Sequence, residues 1–358
     1  MSGSASRRTG VDTPGRADLA IEPFVGPSAE WDTFVRSIAG WTHFHLHGWR
    51  AVMEETLGHE TLYLAARAQS GSLAGVLPLV RVKSPLFGHY LVSMPFVNYG
   101  GPLGSDRAVR ALAESAAERA GADGADLLEL RSRRELPLDL SASHRKVTVL
   151  LDLEPGSPDV TWDALKSKVR SQVRRPMKEK AEARFGPDQL EPFYGVFAEN
   201  MRDLGTPVLG RAVFEAIRDA FGDSAWFGTV WMDGTPVAGG CGFAWNGEFE
   251  MTWASSLRAY NRVAPNMLLY WKFMERAADR GLHTFNFGRC TPGGGTHRFK
   301  LQWGGRDETL WWYHREEDAG AATPSPDEGA LSLGPKLWRR LPLAVANRLG
   351  PRVVRLIP

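Results

Sequence analysis

Apolar residues follow the same order of spacings in two stretches of the chain. In each, two strand-type runs form a hairpin, a third strand follows, and a helix-type run leads to a fourth strand. The first stretch comprises 61–68, 73–82, 91–97, 106–120 and 126–130. The second comprises 225–231, 237–245, 248–255, 266–280 and 282–287. Both final strands end in arginine, Arg131 and Arg289. The repeat predicts two copies of one α/β unit. The alternative is that the two stretches share this order of elements by chance, as many α/β domains do.

A basic segment lies between the two copies. Residues 162–184 have helical spacing, are interrupted at Pro176 and carry only three acids against eight bases. Such a run could neutralise several phosphates. The candidate contacts with donor phosphates or tRNA are Arg170, Arg174, Arg175 and Lys178. The alternative is a solvated helix face. Further helices are predicted at 29–39, 49–57, 194–203 and 211–221.

Composition narrows the class of protein. At 358 residues, with 43% hydrophobic and 23% charged residues, the chain can form two globular domains. The net charge is +2, so any affinity for nucleic acid or membranes must come from local basic clusters. Two cysteines, Cys241 and Cys290, are too few for a disulfide framework and favour a reducing compartment. Neither a signal peptide nor a transmembrane helix is expected.

Shifts in composition predict the domain plan. The segments are a disordered tail at 1–19, an N-terminal domain at 20–150, a C-terminal domain at 151–314, a linker at 315–334 and a basic amphipathic segment at 335–358. The last segment mixes six bases with apolar residues and has no acid, which is typical of contact with an anionic membrane surface. The alternative is a helix packed back on the body, since Pro342 and Pro351 break a long helix.

Residues 281–305 are the most promising place for chemistry. A short apolar strand ends at Gly288, and Gly293, Gly294 and Gly295 allow positive φ and close approach to a ligand. A dense set of polar groups around one aromatic follows immediately: His297, Arg298, Phe299 and Lys300. The alternative is a glycine-rich connection with surface bases.

Three histidines alternate near the N-terminus. His43, His45 and His47 would share one face of a strand, where they could bind a metal. No carboxylate or cysteine pattern accompanies them, so a loop or buried histidines is the favoured interpretation, and no metal site is predicted.

Several motifs together resemble a known family. They are GVLPLVRVKSPLFG at 75–88, LVSMPFVNYGGPLG at 91–104, RDLGTPV at 202–208, PNMLLYWKFMERAADRGLHTFNFGR at 265–289 and FK-x-x-WG at 299–304. The pattern spans roughly 20–315 and is similar to FemAB-like transferases of the GNAT superfamily, most of all those associated with exosortase/PEP-CTERM systems. Cys290 stands where that family is expected to carry serine.

The resemblance implies an α/β fold of tandem GNAT-like acyltransferase domains, each a mixed, mostly antiparallel sheet flanked by helices. It also implies attack of an amine on an ester or thioester carbonyl. Lys300 matches the lysine of the family's FK motif and would stabilise the oxyanion, with Phe299 positioning it. His297 is a candidate for proton transfer because its pKa is ordinarily near neutrality.

Other residues are expected to bind the substrates. Arg289 could hold a phosphate or a carboxylate through its planar fork, and Asn98 and Tyr99 could line the acceptor pocket. The remaining substrate-binding candidates are Arg262, Trp303 and Cys290. Cys290 has no paired base in the sequence, so covalent catalysis is not favoured.

The donor is harder to predict than the reaction. Coenzyme A users in this superfamily bind pyrophosphate on a glycine-rich loop, but the equivalent stretch, 258–267, has no glycine. The resemblance favours aminoacyl-tRNA as co-substrate, with acyl-coenzyme A as the alternative and no bound cofactor. The acceptor would be an amine of a cell-envelope, peptidoglycan, surface-polysaccharide or peptide-like precursor.

Localisation is expected to be cytoplasmic, with possible contact at the inner face of the membrane. Two rival interpretations lack chemistry: a membrane-associated assembly protein for surface polysaccharide, and a nucleic-acid binder.

Overall fold

The computed structural model describes residues 19–85, 87–315 and 333–357. The predicted disordered tail lies outside these residues except for Leu19, and so does most of the predicted linker, at 316–332.

Strands and helices follow the predicted order closely. In chain order the strands are β1 (Leu19–Pro23), β2 (Glu60–Ala68), β3 (Leu73–Ser84), β4 (Gly88–Val92), β5 (Leu103–Gly104), β6 (Leu127–Ser132), β7 (Ser141–Ser143), β8 (Val147–Asp152), β9 (Glu182–Phe185), β10 (Ala225–Met232), β11 (Thr235–Trp245), β12 (Glu248–Ser256), β13 (Thr284–Cys290), β14 (Arg306–Thr309) and β15 (Trp311–His314). The helices are α1 (Ser28–Ser37), α2 (Trp49–Ala51, continued as a π turn to Thr56), α3 (Asp106–Ala122), α4 (Pro158–Ala164), α5 (Ser167–Lys178), α6 (Leu190–Leu204), α7 (Arg211–Phe221), α8 (Pro265–Asp279), α9 (Gly295–Leu301), α10 (Leu333–Trp338) and α11 (Leu343–Val354).

Two local predictions were wrong. The predicted helix 162–184 ends at Lys178, and its last residues form β9 on the edge of a sheet, where Glu182-Ala-Arg-Phe has alternating exposure. The predicted strand 91–97 ends at Val92 because Met94 and Phe96 take positive φ, at 57° and 67°. In the glycine run, Gly293 alone has positive φ.

Two sheets with the same internal topology form the framework. The first has the order β1-β2-β3-β4-β6-β15-β7, with β5 also paired to β3, and the second has the order β14-β8-β13-β12-β11-β10-β9. One neighbouring pair in each sheet is parallel, β4 with β6 and β12 with β13, and α3 or α8 makes the crossover. This confirms the prediction of two copies of one α/β unit.

The copies exchange strands at their boundary. β8 precedes the second copy in the chain and pairs with β13, whereas β15 follows the second copy and pairs with β6 of the first. The boundary placed at residue 150 therefore runs through a strand of the second sheet. Each sheet is completed by a segment from beyond its own repeat unit.

A continuous apolar core joins the copies. The Phe44 ring packs against Tyr99 of the first copy at a centroid distance of 5.4 Å and against Phe243 of the second at 5.7 Å. All three side chains are buried. The polar groups between the sheets therefore lie at a boundary that buried apolar side chains shield from water.

Replacing Tyr313 in β15 with alanine should lower the free energy of unfolding by about 3–5 kcal/mol, since it removes a buried ring and its bond with the Leu136 amide at 2.7 Å. Chemical denaturation measures the change. Val25→Ala, at a residue that is 94% exposed, is the control and should change it by no more than about 0.5 kcal/mol. Equal effects from the two variants would contradict the pairing of β15 with the first sheet.

Candidate functional site

A buried carboxylate marks the junction of the two copies. Glu250 on β12 is fully buried and accepts hydrogen bonds from the Asn98 amide and the Tyr99 hydroxyl, which follow β4 of the first copy. The structure therefore brings together the two sequence-predicted acceptor-pocket residues and joins them to a carboxylate that sequence reasoning missed.

Asn286 on β13 extends this network. Its Nδ2 donates to Tyr99 Oη at 2.8 Å, to Glu248 Oε1 at 2.7 Å and to Glu250 Oε2 at 3.2 Å. Its Oδ1 accepts from Thr148 Oγ1 at 2.5 Å and from the Gly288 amide at 2.8 Å. Because every side of the amide has a partner, its orientation is fixed.

Arg133 balances the second carboxylate. Its Nη1 contacts Glu248 Oε1 at 2.8 Å, its Nε contacts Glu308 Oε1 at 2.7 Å, and its guanidinium lies 5.4 Å from the Tyr99 ring centroid. Glu248 is thus paired across the copies.

Glu250 has no arginine or lysine in direct contact among the described residues. Burial raises its pKa to about 8, while the bond from Asn98 and the charge of Lys300 oppose the shift. The sequence did contain a signal for Glu250, since a strand with the sequence Glu-Phe-Glu-Met-Thr places two carboxylates on the same face. That face meets the other copy and not solvent.

Lys300 reaches the same junction from α9. Its side chain is buried, and Nζ donates to the carbonyl oxygens of Gly288 at 2.6 Å and Arg289 at 3.0 Å. Gly288 has φ +73°, and a Cβ there would lie 2.8 Å from the Met251 carbonyl oxygen, so glycine permits this close approach. Burial lowers the pKa of Lys300 to about 8, and Cys290 and Glu250 raise it against that trend.

His297 is held by two partners. Its Nδ1 accepts from the Gly293 amide at 3.0 Å, and its Nε2 lies 2.9 Å from both Asp307 carboxylate oxygens. Both ring nitrogens are therefore engaged, and the ring ties the glycine turn to β14. The proton-transfer role stays a prediction that this geometry does not favour.

Three other candidates lie toward α8. Phe299 packs on Tyr270 at 5.0 Å, and Trp303 is buried within 6.3 Å of the Phe287 ring. Cys290 is buried, and burial raises the pKa of its thiol. These surroundings favour packing for the two rings and an unreactive thiol.

Two arginines from corresponding strand ends meet at one tryptophan. The guanidinium carbons of Arg131 and Arg289 lie 4.6 Å and 5.0 Å from the Trp312 ring centroid. Arg131 is ion-paired with Glu129 at 2.6 Å. Burial, with the charge of Arg131, lowers the pKa of Arg289 to about 10.

The basic helix between the copies is α5, which packs on α8. Arg170 donates to the Asp163 carbonyl oxygen at 2.7 Å, and the Arg174 guanidinium lies 5.1 Å from the Trp162 ring centroid. Arg175 donates to the Arg262 carbonyl oxygen at 3.0 Å. Arg174, Arg175 and Lys178 remain exposed, beside the loop that leads into α8.

The alternating histidines form no metal site. His43 and His45 lie in a 3₁₀ turn and are buried, and burial lowers their pKa values to about 3 and about 4. His45 Nε2 lies 3.0 Å from the Gly101 carbonyl oxygen, and His43 Nε2 lies 3.2 Å from Ser224 Oγ. No group of three or more potential ligands is close enough to hold a metal among residues 19–85, 87–315 and 333–357.

The C-terminal segment packs back on the body in part. Arg202 Nη1 donates to the Leu341 carbonyl oxygen at 3.4 Å, Arg339 Nη2 donates to the Leu204 carbonyl oxygen at 3.1 Å, and Ala346 is buried. Leu337, Val345 and Leu349 nevertheless stay exposed, at 64%, 40% and 40%. No helix in the described part of the chain could cross a membrane.

Comparisons with known proteins identify the class. Residues 167–301 match the acetyltransferase (GNAT) domain family. The structure of FemX matches with a TM-score of 0.62 at 16% identity, covering 84% of this chain and 99% of that chain. No curated protein matches the sequence.

Two further solved structures share the fold. The C-terminal domain of a putative lysylphosphatidylglycerol synthetase from Agrobacterium fabrum matches with a TM-score of 0.55 at 13% identity, covering 81% of this chain and 93% of that chain. A tandem GNAT protein from the clavulanic acid biosynthesis pathway matches with a TM-score of 0.50 at 13% identity, covering 83% and 98%.

Residues 167–301 are accordingly a GNAT-type domain, and the protein is an acyltransferase. Within that class its tandem fold is FemAB-like, which confirms the fold that the sequence motifs implied.

Proposed function

We propose that this protein transfers an acyl group, specifically an aminoacyl group from aminoacyl-tRNA, to an amine of a cell-envelope or peptide-like precursor. The buried ammonium of Lys300 at the junction of the copies carries the proposal. An ammonium has three N–H donors. Among the described residues, two are used by the Gly288 and Arg289 carbonyls, which leaves one for a developing oxyanion.

The reaction balances without a further reagent. The amine nitrogen attacks the donor carbonyl, a C–N bond forms, and the C–O bond of an ester or the C–S bond of a thioester breaks. The proton lost by the amine ends on the leaving alcohol or thiol. Lys300 would stabilise the negative oxygen of the intermediate in a region where little water weakens the interaction.

Glu250 is assigned a positioning role. It is too deeply buried to touch substrate, but its pKa of about 8 is close to that of Lys300, so in its ionised form it favours the protonated form of Lys300. Asn98, Tyr99 and Asn286 fix the carboxylate, so residues from both copies would set the charge state of the lysine.

The second copy is favoured as the working one. In the first copy, the N-terminus of α3 is capped by the Ser105 side chain and followed by Asp106, which opposes a phosphate there. In the second copy, the exposed bases of α5 adjoin the loop into α8, where donor phosphates can approach.

The same loop argues against coenzyme A. Pro265 at the start of α8 has no N–H, and five neighbouring amides already donate to backbone carbonyl oxygens. These amides belong to Tyr260, Asn261, Val263, Ala264 and Met267. A pyrophosphate cradle would need such amides free. Acyl-coenzyme A on the same fold is the second candidate donor.

The protein is also proposed to work at the inner face of a membrane. Exposed Leu337, Val345 and Leu349 lie among bases in a segment, 333–357, that has no acid. Apolar side chains between cations suit an anionic bilayer surface. If the protein has no transfer activity, this surface would instead favour the alternative of a membrane-associated assembly protein for surface polysaccharide.

Charged tRNA should bind with strong salt dependence, and acetyl-coenzyme A should bind weakly, in titrations at two salt concentrations. Lys300→Met should bind charged tRNA normally but transfer the aminoacyl group to an amine about 10²–10³-fold more slowly, because the oxyanion loses its donor. Lys272→Met is the control, since Lys272 pairs with Glu275 on α8. Micromolar binding of acetyl-coenzyme A would overturn the donor, and full transfer by Lys300→Met would overturn the mechanism.

The alkaline limb of kcat/KM against pH should lie near pH 8, because Lys300 acts protonated and loses its proton as the pH rises through its pKa. Glu250→Gln should move this limb to lower pH, since the carboxylate raises the pKa of Lys300. Glu248→Gln is the matched control because Glu248 pairs with Arg133. A limb that stays in place in Glu250→Gln would refute the positioning role.

Sedimentation with phosphatidylglycerol vesicles should capture the protein at low salt, and neutral phosphatidylcholine vesicles should not. Leu337→Asp with Leu349→Asp should weaken capture by about tenfold or more, because it removes apolar area and adds negative charge. Val160→Asp, at an apolar residue 56% exposed on α4, provides the comparison. If the variant carrying both Leu337→Asp and Leu349→Asp is captured as well as the wild type, this surface is not the membrane contact.

A further inference from the structure

The two corresponding arginines differ in how their charges are satisfied. Arg131 donates through Nε to Glu129 at 2.6 Å and through Nη1 to the carbonyl oxygens of Met94 and Val97, at 3.4 Å and 3.2 Å. Glu129 also contacts His314 Nε2 at 3.0 Å. The first copy thus carries its own anion beside the tryptophan.

Arg289 has no such anion. Its guanidinium makes no hydrogen bond or ion pair within the described part of the chain, although the residue is partly buried and stacks near Trp312. The residue two positions earlier is Phe287, which packs on Tyr270, whereas Arg131 is preceded there by Glu129. A partly buried cation without an anionic partner lowers the stability of the folded protein, and binding of an anionic ligand would offset that loss.

Further cations surround this point. Lys146 Nζ donates to Thr291 Oγ1 at 2.8 Å, and burial together with the charge of Arg289 lowers the pKa of Lys146. The two nearby carboxyl groups are already engaged, Glu129 by Arg131 and Glu250 by its four amide and hydroxyl donors. The local charge is therefore positive.

The position is adjacent to the proposed reaction centre. Lys300 Nζ donates to the backbone carbonyl of Arg289, and the charge of Arg289 contributes to lowering the pKa of Lys300, so the guanidinium lies near the ammonium. We propose that Arg289, with Lys146, binds a carboxylate or phosphate of the reacting substrate, in the place that Glu129 occupies beside Arg131. The substrate class is thereby narrowed to molecules with an anionic group close to the reacting atom.

That the bound anion belongs to a substrate rests on the proposed function. Whether the site binds an anion at all can be tested without measuring turnover. The probes are inorganic phosphate, acetate and neutral acetamide at constant ionic strength, titrated by calorimetry and by thermal unfolding. The wild-type protein should bind phosphate or acetate and not acetamide, and the tighter of the two identifies the anion's chemistry.

Arg289→Met should weaken binding of the preferred anion at least tenfold, and Arg289→Lys should recover part of it, because charge returns without the planar fork. Arg110→Met, at an exposed arginine on α3, should bind as the wild type does. Unchanged binding in Arg289→Met, or no binding of either anion by the wild type, would overturn the site.

Stability of the ligand-free protein provides a second, independent measurement. Arg289→Met should unfold at the wild-type temperature or above, because it removes an unpaired charge. Arg131→Met should unfold at a lower temperature, because it leaves Glu129 without its cation. A loss of stability in Arg289→Met equal to that in Arg131→Met would contradict the distinction. If the wild-type protein transfers no aminoacyl group while these results hold, the proposed function fails and the anion site stands.

Discussion

The hydrogen-bond network around Glu250 is the constraint on which the junction of the two copies depends. A carboxylate with no water around it requires donors, and these come from Asn98 and Tyr99 on one copy and Asn286 on the other. The relative placement of the sheets and the charge near Lys300 are therefore set by the same bonds. Moving one copy against the other would leave the carboxylate unsatisfied.

Individual helices and hairpins could be predicted because the spacing of apolar residues depends only on neighbouring positions in the sequence. The hairpins of β2–β3 and β10–β11 and the helices α3, α7 and α8 follow directly from spacings of two and three to four residues. β9 was missed because four residues of alternating character directly after a helix resemble its continuation. The exchange of β8 and β15 was also missed, since no periodicity specifies which distant strand is the partner.

The site was predictable only where a motif carried it. Lys300 and Arg289 could be named from their motif and strand end, whereas Glu250 looked like the polar face of an exposed strand. Burial of that face depends on the other copy, which a pattern along one strand does not contain. For His297 the sequence shows a residue type suited to proton transfer, whereas only the structure shows that both of its ring nitrogens have partners; its catalytic role stays a prediction.

The exchanged strands have a consequence for how the molecule forms. β15 pairs with β6 across about 180 residues of sequence, as in Tyr313 with Leu130. The first sheet therefore cannot be completed during synthesis until nearly the whole second copy has emerged. Pairings of such long sequence separation slow folding, and they leave the open edge of β6 exposed to wrong partners in the meantime. We therefore expect the duplicated halves to fold as one cooperative unit, because neither half contains all the strands of its own sheet.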